Sequence, residues 1–266
     1  MGDAPVTPSI SNLELTWASV LELCADLTEA QWKTATGCPG WTVQDQIAHL
    51  IDFEATLLGR PRPEADLPAD RAHLKNPLGE ANEVGVEARR PLPGAAVLEE
   101  LREVTVARSA QLRALAPEDL AAPMDTPAGP GTLADMLTLR VMDTWSHEQD
   151  IRRALDRPGH AESPAVDEAV RYWTTYLPYV VGKRAKAPEG AGVRFEVGDR
   201  AGIDVVVTGG RAALQAIDGT PTVTLRMSAP TFAAHVGGRT DAPQDIAVDG
   251  DAALGQAVVA SLGFMP

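Results

Sequence analysis

The hydrophobic period of this chain changes at Pro158, which restricts it to a helical part followed by a mixed part. Before that point, apolar residues return every three or four positions. Leu13, Trp17, Val20, Leu21, Cys24 and Leu27 form one such face, and a helix is the backbone that stacks residues so spaced. A second helix is predicted over 42–58 through Val43, Ile47, Leu50, Ile51, Leu57 and Leu58. Thr42 with Asp45 resembles a capping box at its start, and Arg60-Pro61-Arg62-Pro63 ends it. The stretch from Arg60 to Pro93 is charged and proline-bearing and reads as a long connection with one helix from Gly79 to Arg89; such connections often carry function. A third helix is expected over 95–115. After the break at PAGPGT, a fourth runs over 133–155, opened by Thr132 and Asp135. Four helices with one crossover connection describe a bundle.

Beyond Pro158 a helix is expected from Pro164 to Val181. VRFEV (193–197), IDVVV (203–207) and TVTLRM (222–227) then read as strands, because they are short, β-branched and separated by Gly-Asp and Gly-Gly turns, as in an antiparallel sheet. Two helices, near 229–236 and 252–262, flank a last strand at 246–248. The predicted fold class is therefore α+β: a four-helix bundle over 1–160 and a smaller α+β domain with its linking helix over 161–266. A length of 266 residues suits two domains.

Composition removes several classes of function. Lys and Arg number 23 against 37 Asp and Glu, a net charge of -14, which repels a phosphate backbone and argues against nucleic acid as a partner. No run of eighteen apolar residues exists, and MGDAPVTPSI lacks a basic segment with an apolar core, so a cytoplasmic protein with no membrane partner is expected. Cys24 and Cys38 are too few for a disulfide framework and read as reduced thiols.

The candidate chemistry lies on the second and fourth helices. Arg140, Asp143, His147 and Asp150 are spaced three, four and three, so they share one stripe of an otherwise apolar helix. That stripe is either a solvated face with local ion pairs or a chelating pair, Asp143 with His147, four apart. A third ligand decides between them, and His49 sits in the middle of VQDQIAHLIDF. A lone histidine in an apolar helix is more often a satisfied core residue. Bundles, however, build metal sites from facing helices, and three protein ligands leave positions open for water or substrate.

PGWTVQDQIAHL resembles the second-helix signature of the DinB-like bundle superfamily. RVMDTWSHEQDIRRAL is similar to the fourth-helix signature of its actinobacterial branch, the mycothiol-dependent maleylpyruvate isomerase family, and NPLGEANEVGVEARR and VVGKRAKAPEG also resemble members of that branch. VGGRTDAPQDIAVDGDAAL is similar, more loosely, to the sterol-carrier-protein-like domain that follows the bundle. The resemblance implies a DinB-like four-helix bundle in which His49, Asp143 and His147 hold a divalent metal, usually zinc, with a sterol-carrier-like domain after it. The family's isomerase has a longer Glu where this chain has Asp143.

The resemblance further implies thiol activation, in which the metal lowers the pKa of mycothiol as cosubstrate and the thiolate isomerises, or is transferred to, a small electrophilic substrate. Asp150 and Asp45 are read as surface or capping carboxylates, or as acceptors that orient the histidines. Arg239, in the GGR turn, is the candidate for a substrate carboxylate, with bracing of its own loop the even alternative; Arg140 is a weaker candidate of the same kind. His73, His160 and His235 read as structural or exposed. Trp17, Trp32, Trp41 and Trp145 are core or hinge aromatics, with Trp41 and Trp145 the two placed to line a pocket. Two rival readings stand beside this one: a metal-dependent hydrolase on the same site, and a non-catalytic small-molecule binding protein. The same donors also suit ferrous iron.

Overall fold

A computed structural model describes residues 7–265; the leader and first-domain expectations for residues 1–6 lie outside that range. Helix α1 (Pro8–Cys24) starts a turn before the expected Leu13, because a proline at the first helical position loses no bond it would otherwise make. Its residues Ile10, Leu13, Trp17, Val20 and Cys24 are buried. A single-turn helix α2 (Glu29–Trp32) follows, with a Thr28–Gln31 capping box. Helix α3 (Val43–Leu57) begins as expected: Thr42 Oγ1 accepts from the backbone N–H of Asp45, and Asp45 Oδ2 accepts from the N–H of Thr42 at 2.8 Å.

The long connection carries α4 (Pro77–Glu87), which leads to α5 (Gly94–Arg113). Gly85 lets α4 approach α3 closely, since a Cβ there would lie 2.3 Å from Asp52 Cγ. Strands β1 (Pro123–Thr126) and β2 (Gly129–Thr132) form a hairpin that the sequence did not announce, because its glycines and prolines lack any alternating pattern. The hairpin ends on Thr132, whose capping box with Asp135 opens α6 (Leu133–Ala154). Helices α1, α3, α5 and α6 pack as the expected bundle, α1 on α5 and α6, and α3 on α5 and α6. One apolar cluster centres on Ile47, Leu50, Leu101 and Ile151, a second on Leu13, Trp17, Leu137 and Val141. Each such side chain contributes about 1.5–3 kcal/mol on burial.

Helix α7 (Pro164–Thr174) stops short of the predicted Val181. Pro178 lacks the N–H, and its ring clashes with the carbonyl four residues back, at Thr174. A short α8 (Leu177–Tyr179) and a wide turn at Val180–Arg184 follow. The described chain divides into two compact units, residues 7–168 and 169–265, with the division inside α7.

In the second unit, β3 (Gly192–Val197), β4 (Ile203–Thr208), β5 (Arg211–Leu214), β6 (Val223–Met227) and β7 (Ala247–Gly250) form one sheet in the order β5-β4-β3-β6-β7. The expectation of a wholly antiparallel sheet is corrected here: β3 and β6 run parallel. After the β3–β4–β5 meander the chain returns along 215–222 to the free edge of β3, and that return sets β6 in the same direction. β5, with the sequence RAAL, was not anticipated, since it has neither alternation nor β-branching. Helices α9 (Ala229–Val236) and α10 (Ala252–Ala260) complete the unit, and Trp173 meets Phe232 edge to face at 5.8 Å. No helix among the described residues is long and apolar enough to cross a membrane.

Candidate metal centre

The two helices that begin with Thr–Asp capping boxes bring His49, Asp143 and His147 together, one donor atom from each lying within 4.8 Å of the others. His49 Nε2 lies 3.2 Å from Asp143 Oδ2, His147 Nε2 lies 3.4 Å from Asp143 Oδ1, and the imidazole centroids are 4.7 Å apart. Both histidines are buried. The solvated-face account of the α6 stripe therefore fails: Arg140, His147 and Asp150 are buried, and Asp143 is 23% exposed.

Burial pushes the His49 imidazole down to about 4, against the upward pull of Asp143. Burial alone would raise the Asp143 carboxyl, but the His147, Arg140 and His49 groups together hold it well below its usual range. A neutral imidazole beside an ionised carboxylate is the protonation state a cation requires of its ligands. Two imidazoles and one carboxylate also leave coordination positions unfilled, so the donor set fits a catalytic divalent metal such as zinc.

The walls are aromatic. Trp41 lies 5.2 Å from the His49 ring and 5.8 Å from that of His147, and Phe53 meets His49 edge-on at 6.2 Å. The Trp41 indole N–H donates to Glu83 of α4 at 2.8 Å. Glu83 is fully buried and meets Arg90 at 3.0 Å and His73 at 3.3 Å, so the long connection fixes one wall of the centre. Nothing in the sequence marked Glu83 for this role.

Of the remaining expectations, Asp150 Oδ2 lies 3.6 Å from His147 Nδ1, on the side where an orienting acceptor belongs. Asp45 caps α3 and pairs with Arg90 at 3.0 Å, and so serves the helix start. Arg140 is fully buried and bonded through Nε to Glu54 and through Nη1 to Asp143. One reading is corrected. Trp145 is also fully buried and donates to the His160 carbonyl at 2.8 Å, pinning the loop after α6 and lining no pocket. His160 is structural, joined to Glu148 at 2.7 Å and to Ser163 at 3.1 Å, and His235 bonds the Pro243 carbonyl. In the second unit, Arg239 lines a cavity of about 580 Å³ with His235, Gln244, Ile246 and Gln256. Its Nη1 donates to the Gly237 carbonyl at 2.9 Å, so the guanidinium also braces its own turn.

Fold and site together define a helical bundle with a buried two-histidine, one-carboxylate centre, followed by an α+β unit. Residues 13–152 match the mycothiol maleylpyruvate isomerase N-terminal domain, and residues 167–257 match the MDMPI C-terminal domain. The chain belongs to the mycothiol maleylpyruvate isomerase family. An uncharacterized protein of Mycobacterium tuberculosis, from either of two strains, is 30% identical over 149 residues, 56% of this chain and 56% of its own length. The match thus spans about half of those curated relatives. The crystal structure of the mycothiol-dependent maleylpyruvate isomerase superposes over 93% of this chain and 94% of its own, with a TM-score of 0.55 and 14% identity. A histidine-to-alanine mutant of that enzyme gives 0.54 and 13% over the same shares. Both structures share the fold of this chain.

Proposed function

We propose that this chain is a cytoplasmic, metal-dependent enzyme that uses mycothiol to isomerise a small electrophile or joins the mycothiol thiolate to it with loss of a leaving group. The observation that carries the reading is the meeting of His49, Asp143 and His147 inside the bundle, with the His49 imidazole held toward its neutral form and the Asp143 carboxyl toward its ionised one. A divalent cation such as zinc, held by these donors, would supply Lewis acidity that makes thiolate the prevailing form of a thiol near neutrality. The protein's own part is to hold the donors, to exclude water with Trp41 and Phe53, and to orient the His147 ring through Asp150. Cys24 is no nucleophile for this chemistry: burial raises its thiol to about 12, out of reach of neutral pH. For Arg239 we propose the binding of a substrate carboxylate, supported by its place in the second unit's cavity and by the match of guanidinium to carboxylate geometry.

The test is metal analysis of purified protein together with incubation with mycothiol and maleylpyruvate or an alkylating electrophile. The expected result is close to one equivalent of metal, with isomer or conjugate formed only when both metal and mycothiol are present. His147→Ala should lose both metal and turnover, by roughly 100-fold or more. Stoichiometric metal without product would remove the thiol chemistry, and ester or amide cleavage independent of mycothiol would replace it with hydrolysis. Failure of the unmodified protein to bind any divalent metal would remove the enzyme proposal itself.

A further inference from the structure

The bundle contains a second cross-link between α3 and α6, one turn from the metal donors. Glu54, fully buried on α3, accepts from Arg140 Nε of α6 at 2.7 Å through Oε1 and from Arg108 Nε of α5 at 3.0 Å through Oε2. Arg140, itself fully buried, then donates from Nη1 to Asp143 Oδ2 at 2.5 Å, while its guanidinium lies 4.0 Å from the centre of the Phe53 ring. All four groups of the row Arg108, Glu54, Arg140 and Asp143 have formal charge, and they alternate in sign. Asp143 is the one whose carboxylate also touches the imidazoles, Oδ2 toward His49 and Oδ1 toward His147.

Resting on the metal reading above, we propose that Arg140, gripped by Glu54, is a positioning residue: it fixes the Asp143 carboxylate against the two histidines and thereby sets how tightly the centre holds a divalent cation. An aspartate has a short arm with few rotamers, so clamping one oxygen fixes the direction of the other. The clamp must be held in turn, and a planar guanidinium can do so because Nε and Nη1 point to different partners at once. Glu54 holds one edge of that plane and Phe53 covers its face, which leaves Arg140 little freedom to turn away from Asp143. Outer contacts of this kind typically change metal affinity by about 10- to 100-fold when removed.

The experiment compares zinc dissociation constants, read by competition with a chromophoric chelator, for the unmodified protein, Arg140→Lys and Glu54→Asp, each checked for folding by circular dichroism. Lysine keeps the charge but cannot bridge Glu54 and Asp143 as a fork, and Glu54→Asp touches none of the three donors. Zinc should bind roughly 10-fold or more weakly to Arg140→Lys, and less weakly, in the same direction, to Glu54→Asp. The cobalt-loaded Arg140→Lys protein should also show a shifted ligand-field spectrum, which a purely structural cross-link would leave alone while lowering the melting temperature of the metal-free form. Affinity within twofold of the unmodified protein in a folded Arg140→Lys overturns the proposal and leaves the metal reading standing. If that variant does not fold, the same result for Glu54→Asp overturns it. No zinc binding by the unmodified protein removes both.

Discussion

The two units of this chain bury very different things. Glu54, Glu83, Arg108, Arg140, Glu148, Asp150 and the other buried ionisable residues among those described all lie within residues 1–168, whereas the buried polar residues beyond are Thr224 and Thr231. The sheet unit keeps its ion pairs near solvent, as with Arg194 and Asp204 at 2.7 Å or Arg226 and Glu196 at 2.6 Å, and fills its interior with residues such as Val193, Phe195, Leu225 and Phe232. Desolvating an ion costs several kcal/mol, and well-packed apolar residues do as well or better for stability. The bundle nevertheless buries a row of alternating charges that ends on Asp143.

Glu54→Ala tests that contrast most severely. It leaves Arg108 and Arg140 buried without their shared carboxylate, and should cost about 3–5 kcal/mol in denaturant unfolding. A loss below about 1 kcal/mol would mean that water or rearrangement compensates, and the charged interior would lose its special standing. A smaller effect comes from pH in the metal-free protein. The His49 imidazole, at about 4 when folded, titrates near 6.5 when unfolded. Between those values the unfolded chain takes up a proton that the native state refuses, so the stability of the bundle should fall by roughly 3 kcal/mol as pH drops from about 6.5 to 4. Below about pH 4 the low Asp143 pKa adds to the loss, since its stabilisation is complete only above the unfolded value. A pH titration of the unfolding midpoint should show this slope, and His49→Leu should flatten it. Least of all is expected from Arg194→Ala in the sheet unit, whose surface pairing with Asp204 should leave the midpoint unchanged within error. A clear drop there would show that the sheet unit also depends on its charges.

What was legible in the sequence follows the same division. Each Thr–Asp capping box opens a single helix, and the candidate pair Asp143 and His147 lies four apart on one of them, so a period of three to four residues places these groups without any knowledge of tertiary packing; that His49 of the other helix joins them came from the family resemblance. VRFEV, IDVVV and TVTLRM were readable because β-branching marks a strand locally. RAAL carried no such mark, and the parallel β3–β6 pairing depends on a return path that local pattern does not encode. Glu54 was passed over because five residues after His49 it falls off the simple three-and-four rule, yet a carboxylate three and four residues after Ile51 and Leu50, on the apolar face, was a signal. Glu83 left none: its partner Trp41 is 42 positions away.

The clasps at the starts of α3 and α6 act as rulers. His49 stands seven residues beyond Thr42, and Asp143 eleven beyond Thr132, both close to whole numbers of helical turns. Each donor is thus in phase with the residue that launches its helix. A single residue inserted between cap and donor would turn that donor by about 100°, so length variation in this architecture should accumulate ahead of Thr42 and Thr132, in the loop and hairpin that precede them.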